Sequence, residues 1–179
     1  SKPFLINALT FFALSIDFAN GQALANENQY EHALALNKSG QFLEASKILH
    51  ALMVSHPEIE RYKSDYIAVS SNAKRCDDVI AFSEGNYAAK APPYVQAALF
   101  SCYADTQEFS KTEAFVQSIL KIQGKNQDLV LRMTALARER KEFQSANYWS
   151  ERLLMDYPNS ISAWEMRAGA LQDMGNRFA

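Results

Sequence analysis

Apolar residues recur along most of the chain at the spacing of a helix face. Tyr30, Ala33, Leu34 and Leu36 form one stripe. Ser39-Gly40-Gln41 interrupts it, and Ala45, Ile48, Leu49, Leu52 and Met53 form the next. Positions at i, i+3, i+4 and i+7 mark amphipathic helices that each bury one face. Pro57, the Pro92-Pro93 pair, Gly124 and Pro158 fall where one pair of stripes gives way to the next. Proline removes a helical hydrogen bond and clashes with the preceding turn, so helices stop at these joins. The sequence has no strand-like alternation flanking a hairpin dipeptide. The pattern predicts an all-α chain of paired helices.

The pairs repeat. Gly40-Gln41-Phe42-Leu43-Glu44-Ala45 aligns with Lys141-Glu142-Phe143-Gln144-Ser145-Ala146, each with an aromatic residue three positions before alanine. Thr106-Gln107-Glu108-Phe109 and Lys74-Arg75-Cys76 take matching places. The markers stand at 42, 76, 109, 143 and 177, spaced 34, 33, 34 and 34. A fixed period of this length is the signature of an array in which each unit covers its neighbour. The units are 26–59, 60–92, 93–126, 127–160 and a truncated 161–179. The last has one helix, which leaves Trp164, Ala168 and Leu171 without a second helix to cover them. Ala168-Gly169-Ala170-Leu171 followed by Arg177-Phe178-Ala179 reads as interrupted repeat, with the array continuing in a longer protein. The alternative is a C-terminal capping helix.

Residues 1–25 differ from the rest. Lys2 precedes an apolar run through Phe4-Leu5-Ile6 and Phe11-Phe12-Ala13-Leu14, which ends at Ala23-Leu24-Ala25 before the polar Asn26-Glu27-Asn28. A basic start, an apolar centre and an Ala-x-Ala ending describe an export signal peptide. Asn7 and Asp17 interrupt the apolar centre, and the competing reading is an amphipathic N-terminal helix. Neither this run nor any later one is long and apolar enough for a transmembrane helix.

Composition narrows the chemistry. With 18 Lys+Arg against 20 Asp+Glu, the formal charge is −2, which argues against a duplex nucleic acid as partner. Neither phosphate-cradling glycine motif occurs, nor does G-x-S-x-G. His32, His50 and His56 have no metal-ligand spacing, and Cys76 and Cys102 have no neighbouring base. The expectation is a non-catalytic protein without metal or cofactor.

The 34-residue helix-turn-helix unit resembles the tetratricopeptide repeat (TPR). On the units above, that family's first-helix Trp falls on Trp164 and its turn Gly on Gly40 and Gly175. Its turn aromatic falls on Phe42, Phe109 and Phe143, its second-helix Ala on Ala45 and Ala146, and its closing Pro on Pro57 and Pro158. Leu99 and Tyr103 take its first-helix Leu and Tyr positions. The second unit departs most, with Lys74 for Gly, Cys76 for the aromatic and Val79 for Ala. The resemblance covers 26–179 and implies a right-handed superhelical solenoid of about four and a half units, a fold that serves many partners.

Two consequences follow from the resemblance. In stacked repeats the second helix of one unit lies beside the first helix of the next. Cys76 and Cys102 then lie close enough for a disulfide that would brace the weakest unit, or they are two buried free thiols. The first helices line the concave face through unit positions 2, 5, 9, 12 and 13. Lys and Asn are absent from positions 5 and 9, so a ligand clamped by its terminal carboxylate is not expected. Over units three to five, these positions bring Tyr94 together with Asp105, Asp128, Glu139, Glu165 and Asp173, against the one base Arg138. Either this is an acidic groove of local charge near −4 for a cationic ligand, or these are ordinary solvated helix faces.

An export signal, divergent repeats directly after it and an unfinished array are together similar to the periplasmic N-terminal region of bacterial poly-N-acetylglucosamine export porins. The local matches are Asp77-Asp78-Val79-Ile80 and the stretch from Arg132-Met133 to Pro158. That resemblance implies a periplasmic scaffold for biofilm polysaccharide export, tethered to the outer membrane by a following β-barrel. Its partners would be the partly deacetylated, cationic polymer or a periplasmic deacetylase. A general periplasmic protein–protein adaptor is the alternative. If the leader reading is right, mass spectrometry of the exported chain will find cleavage between Ala25 and Asn26; an intact N-terminus would leave the amphipathic helix.

Overall fold

The computed structural model describes the backbone of residues 8–84 and 86–176 and the side chains of 21–84 and 86–175. It is all-helical, with no strand among the described residues. The helices are α1 (Ala8–Lys38), α2 (Phe42–Ser55), α3 (Glu60–Asn72), α4 (Cys76–Ile80), α5 (Tyr87–Lys90), α6 (Pro93–Thr106), α7 (Phe109–Gln123), α8 (Gln127–Glu139), α9 (Phe143–Asp156) and α10 (Ile161–Asn176). Most of the leader lies outside the described side chains; the backbone is helical from Ala8 through Lys38 with no break at Ala25–Asn26. No described helix is long and apolar enough to cross a membrane.

Phe42, Cys76, Phe109 and Phe143 are the first residues of α2, α4, α7 and α9. The turns before three of them have one hydrogen-bond path. Gly40 N–H donates to Asn37 O and Gln41 N–H to Leu36 O; Lys74 and Arg75 donate to Ser71 O and Ser70 O; Lys141 and Glu142 donate to Arg138 O and Ala137 O. This is the Schellman closure, which satisfies the last carbonyls of the preceding helix and needs a left-handed residue. That residue is Gly40 at φ 81°, Lys74 at φ 60° and Lys141 at φ 58°. Gln107 takes the third turn in extended conformation instead.

The connections out of the second helices also match. His56 caps α2 at φ −135°, ψ 67° and Tyr157 caps α9 at φ −136°, ψ 62°. His56 donates to Leu52 O, Ile59 to His56 O and Tyr62 to Ile59 O; Tyr157, Ser160 and Ala163 repeat the path with Leu153, Tyr157 and Ser160 as acceptors. In each case a proline follows the cap, where its missing N–H is not required.

The chain divides into two compact units, 1–69 and 70–179, with the boundary inside α3. In the first, α1 packs on α2. Tyr30 OH donates to Asp65 Oδ2 at 2.5 Å, and the Tyr30 and Tyr62 rings lie 5.3 Å apart. The Arg61 guanidinium stands 4.5 Å from the Tyr30 ring centroid and pairs with Glu27. Asn26 Nδ2 donates to His56 Nε2 at 2.6 Å.

In the second unit, α6 touches α7 and α8, α7 touches α8, α8 touches α9 and α10, and α9 touches α10. The Tyr103 and Phe115 rings stack at 4.5 Å, and the fully buried Trp149 donates its indole N–H to Glu113 at 2.7 Å. Asn126 caps α8 by accepting from Leu129 N–H, and its amide donates to the buried Gln96 at 2.8 Å. The helix expected after Cys76 is broken into α4, a short 3-10 turn at Ala81–Ser83, and α5. Ser83 Oγ turns back to Ile80 O at 2.7 Å, the local competition by which serine ends helices. Cys76 on α4 is bonded to Cys102 on α6, with Cα atoms 5.0 Å apart.

Two stability measurements test this arrangement. Lys141→Gly relieves a side chain held at positive φ and should stabilise by about 1 kcal/mol in urea denaturation, whereas Gly40→Ala should cost about as much. No change in either would remove the turn from the account. Replacing Cys76 and Cys102 together by Ala should cost about 3 kcal/mol, the loop-closure value for a bridge of this span.

Candidate binding groove

The first helices of the second unit, α6, α8 and α10, carry the expected concave-face positions. All fifteen in units three to five are exposed or half-buried. In the preceding units Tyr30, Ser64 and Ser71 are buried, which removes those three from any accessible surface. They are spent in packing: Tyr30 on Tyr62 and Asp65, and Ser71 Oγ on Ala98 O.

A groove of about 480 Å³ runs between α6 and α8. Phe100, Ser101, Ala104 and Asp105 line one side; Arg132, Ala135, Leu136, Glu139 and Arg140 line the other. Five of these nine, Ser101, Ala104, Asp105, Ala135 and Glu139, are the expected position-9, -12 and -13 residues. Small side chains at 101, 104 and 135 leave the space open, and the largely buried Phe100 and Leu136 supply its apolar part.

Of the seven charged or aromatic residues singled out above, the groove brings together Asp105 and Glu139. Arg138 and Asp173 meet each other across α8 and α10, with Arg138 Nε 2.7 Å from Asp173 Oδ2. The Arg138 guanidinium lies over Gly169, where a Cβ would come within 2.4 Å of it. Asp128 pairs with Arg132 at 2.7 Å, one helical turn along α8. Tyr94, at the start of α6, and Glu165, on α10, are exposed and do not line the groove.

The pairings revise the charge count. Asp105 accepts from Lys74 Nζ at 2.9 Å, and Arg140 donates to the Ala104 carbonyl at the rim. The groove lining holds Asp105 and Glu139 against Arg132 and Arg140. Its lining is therefore balanced in sign. Sequence reasoning passed over Lys74, Arg132 and Arg140 because none occupies a concave-face position. The spacing of Asp128 and Arg132, four residues apart on one helix, was the available signal. Among the acids, Glu139 and Glu165 are exposed and make no ion pair among the described residues.

No group of His, Cys, Asp and Glu among the described residues could hold a metal ion. Comparison with protein-family models, with curated proteins and with solved structures finds no match to this chain.

Proposed function

We propose that the chain is a non-catalytic array of TPR-type helical hairpins, stacked as a solenoid, that binds an extended chain molecule in the groove between its first helices. One observation carries this reading: five residues chosen by repeat position converge on a single groove. Contacts at the repeat distance support the array itself. Glu27 pairs with Arg61, 34 residues on; Gln123 Nε2 donates to Ala89 O over 34; Gln127 to Ser160 over 33; Arg138 to Asp173 over 35. A unit that packs on the next copy of itself makes contacts at this separation.

For the ligand, we propose partly deacetylated poly-N-acetylglucosamine, bound in the periplasm on the way to export across the outer membrane. The resemblance motivates the choice, and the groove suits it. Glu139 is an exposed carboxylate for the ammonium of a deacetylated sugar, and Arg140 is a donor for acetamide and hydroxyl oxygens. The Cys76–Cys102 bridge supports an oxidising compartment. The balanced signs in the groove favour a second reading, a periplasmic protein–protein adaptor, since a peptide strand offers charges of both signs.

Calorimetric titration separates the two. Glucosamine oligomers should bind more tightly as deacetylation rises and more weakly as salt rises, and Glu139→Lys should weaken them about tenfold, one ion pair's worth in a partly desolvated site. Equal affinity for acetylated and deacetylated oligomers, or indifference to Glu139→Lys, would contradict the cationic-polymer reading. Binding of a periplasmic protein lost on the same substitution would favour the adaptor.

A further inference from the structure

The two carboxylates of the α6–α8 groove are not equivalent. Glu139 is exposed and makes no ion pair among the described residues. Asp105 is held by Lys74 Nζ at 2.9 Å. Lys74 stands in the turn between α3 and α4 and does not line the groove. A cation in the groove therefore finds the place at Asp105 already taken.

Covalent structure keeps Lys74 there. Lys74 lies two residues before Cys76 and Asp105 three residues after Cys102, and the bridge holds the two cysteine Cα atoms 5.0 Å apart. The two backbones stay together, so Lys74 is a tethered counter-ion with a high local concentration beside Asp105. The contact itself is weak. The Lys74 side chain is 78% exposed and that of Asp105 50%. Lysine offers a hydrated point charge on a flexible stem, and exposed pairs of this kind are worth little.

The other charges nearby are fixed more firmly. Arg132 pairs at 2.7 Å with Asp128, one turn away on the same helix. Arg140 donates to the Ala104 carbonyl near the C-terminal end of α6, where the helix dipole favours a cation. Of these contacts, the Lys74–Asp105 pair is the one that joins a groove carboxylate to a cation outside the groove.

We infer that Lys74 is a specificity-determining residue of the groove, a resident ammonium that occupies Asp105 until a ligand with two ammonium groups displaces it. One ligand ammonium takes Glu139 and the second takes Asp105. A ligand with a single ammonium takes Glu139 and leaves Lys74 in place. Lys74 thus sets how much a second ammonium adds to affinity. The inference rests on the cationic-polymer reading above and adds a residue to it.

Calorimetric titration of the full chain with two probes tests it: a fully deacetylated glucosamine oligomer, and one of the same length with one free amine. Lys74→Gly should bind the first about threefold more tightly and leave the second within about twofold. Glycine suits the turn, since Lys74 at φ 60° stands where Gly40 stands at φ 81°. Lys74→Arg should weaken the first about threefold, because a guanidinium grips a carboxylate with two hydrogen bonds. In an Asp105→Asn background, Lys74→Gly should have no effect. An unchanged affinity of Lys74→Gly for the deacetylated oligomer, with Glu139→Lys still weakening it, would overturn the inference and leave the groove reading in place. The same gain in the Asp105→Asn background would also overturn it, by showing that Lys74 acts through net charge and not through Asp105. Failure of the unmodified protein to bind either oligomer would remove the groove reading, and this inference with it.

Discussion

A hairpin of two short helices cannot cover both of its apolar faces, and this constraint organises the rest of the molecule. Within residues 70–179, α6, α7, α8 and α9 each touch a hairpin partner and a helix of the neighbouring pair. The period of the sequence then becomes a distance in the chain at which contacts form. Trp149 reaches Glu113 across 36 residues, Arg138 reaches Asp173 across 35, and Tyr30 reaches Asp65 across 35. Ala45, Val79, Thr112 and Ala146 occupy one repeat position and are all essentially inaccessible to solvent. At that position a side chain larger than these would push the two helices of the hairpin apart.

The same stacking sets the chemistry of the exposed first-helix faces. Side chains there find partners one unit away or one turn away, so charge is neutralised between helices rather than accumulated along them. Lys74 with Asp105 and Arg138 with Asp173 are pairs between successive units; Asp128 with Arg132 is a pair within α8. Pairs as exposed as these contribute little to stability. They do fix which charges remain for a ligand. What remains beside the α6–α8 groove is the Glu139 carboxylate and the Arg140 guanidinium, in a slot kept open by Ser101, Ala104 and Ala135.

Much of the fold was legible because it depends on pattern. The markers at 42, 76, 109 and 143 open four helices, and the prolines and Gly124 stand at helix ends, where lost hydrogen bonds and positive φ are tolerated. Two features were not legible. Lys74 and Lys141 adopt the left-handed conformation that Gly40 adopts at the matching turn, yet lysine carries no sequence signal for it. The second is the break between α4 and α5, where Ser83 Oγ turns back to Ile80 O; serine is common inside helices as well as at their ends. The groove was legible in its small residues and carboxylates, because repeat position fixes which way a side chain faces. Its balance of charge was not, because Lys74, Arg132 and Arg140 reach it from outside those positions.

The most direct test of stacking at the repeat period is the distribution of long-range side-chain NOEs in a methyl- and aromatic-labelled sample. The account predicts that, beyond contacts inside each hairpin, NOEs cluster at sequence separations of about 30 to 36 residues, including Trp149 with the α7 residues around Glu113. A broad spread of separations, or a cluster at some other value, would contradict it.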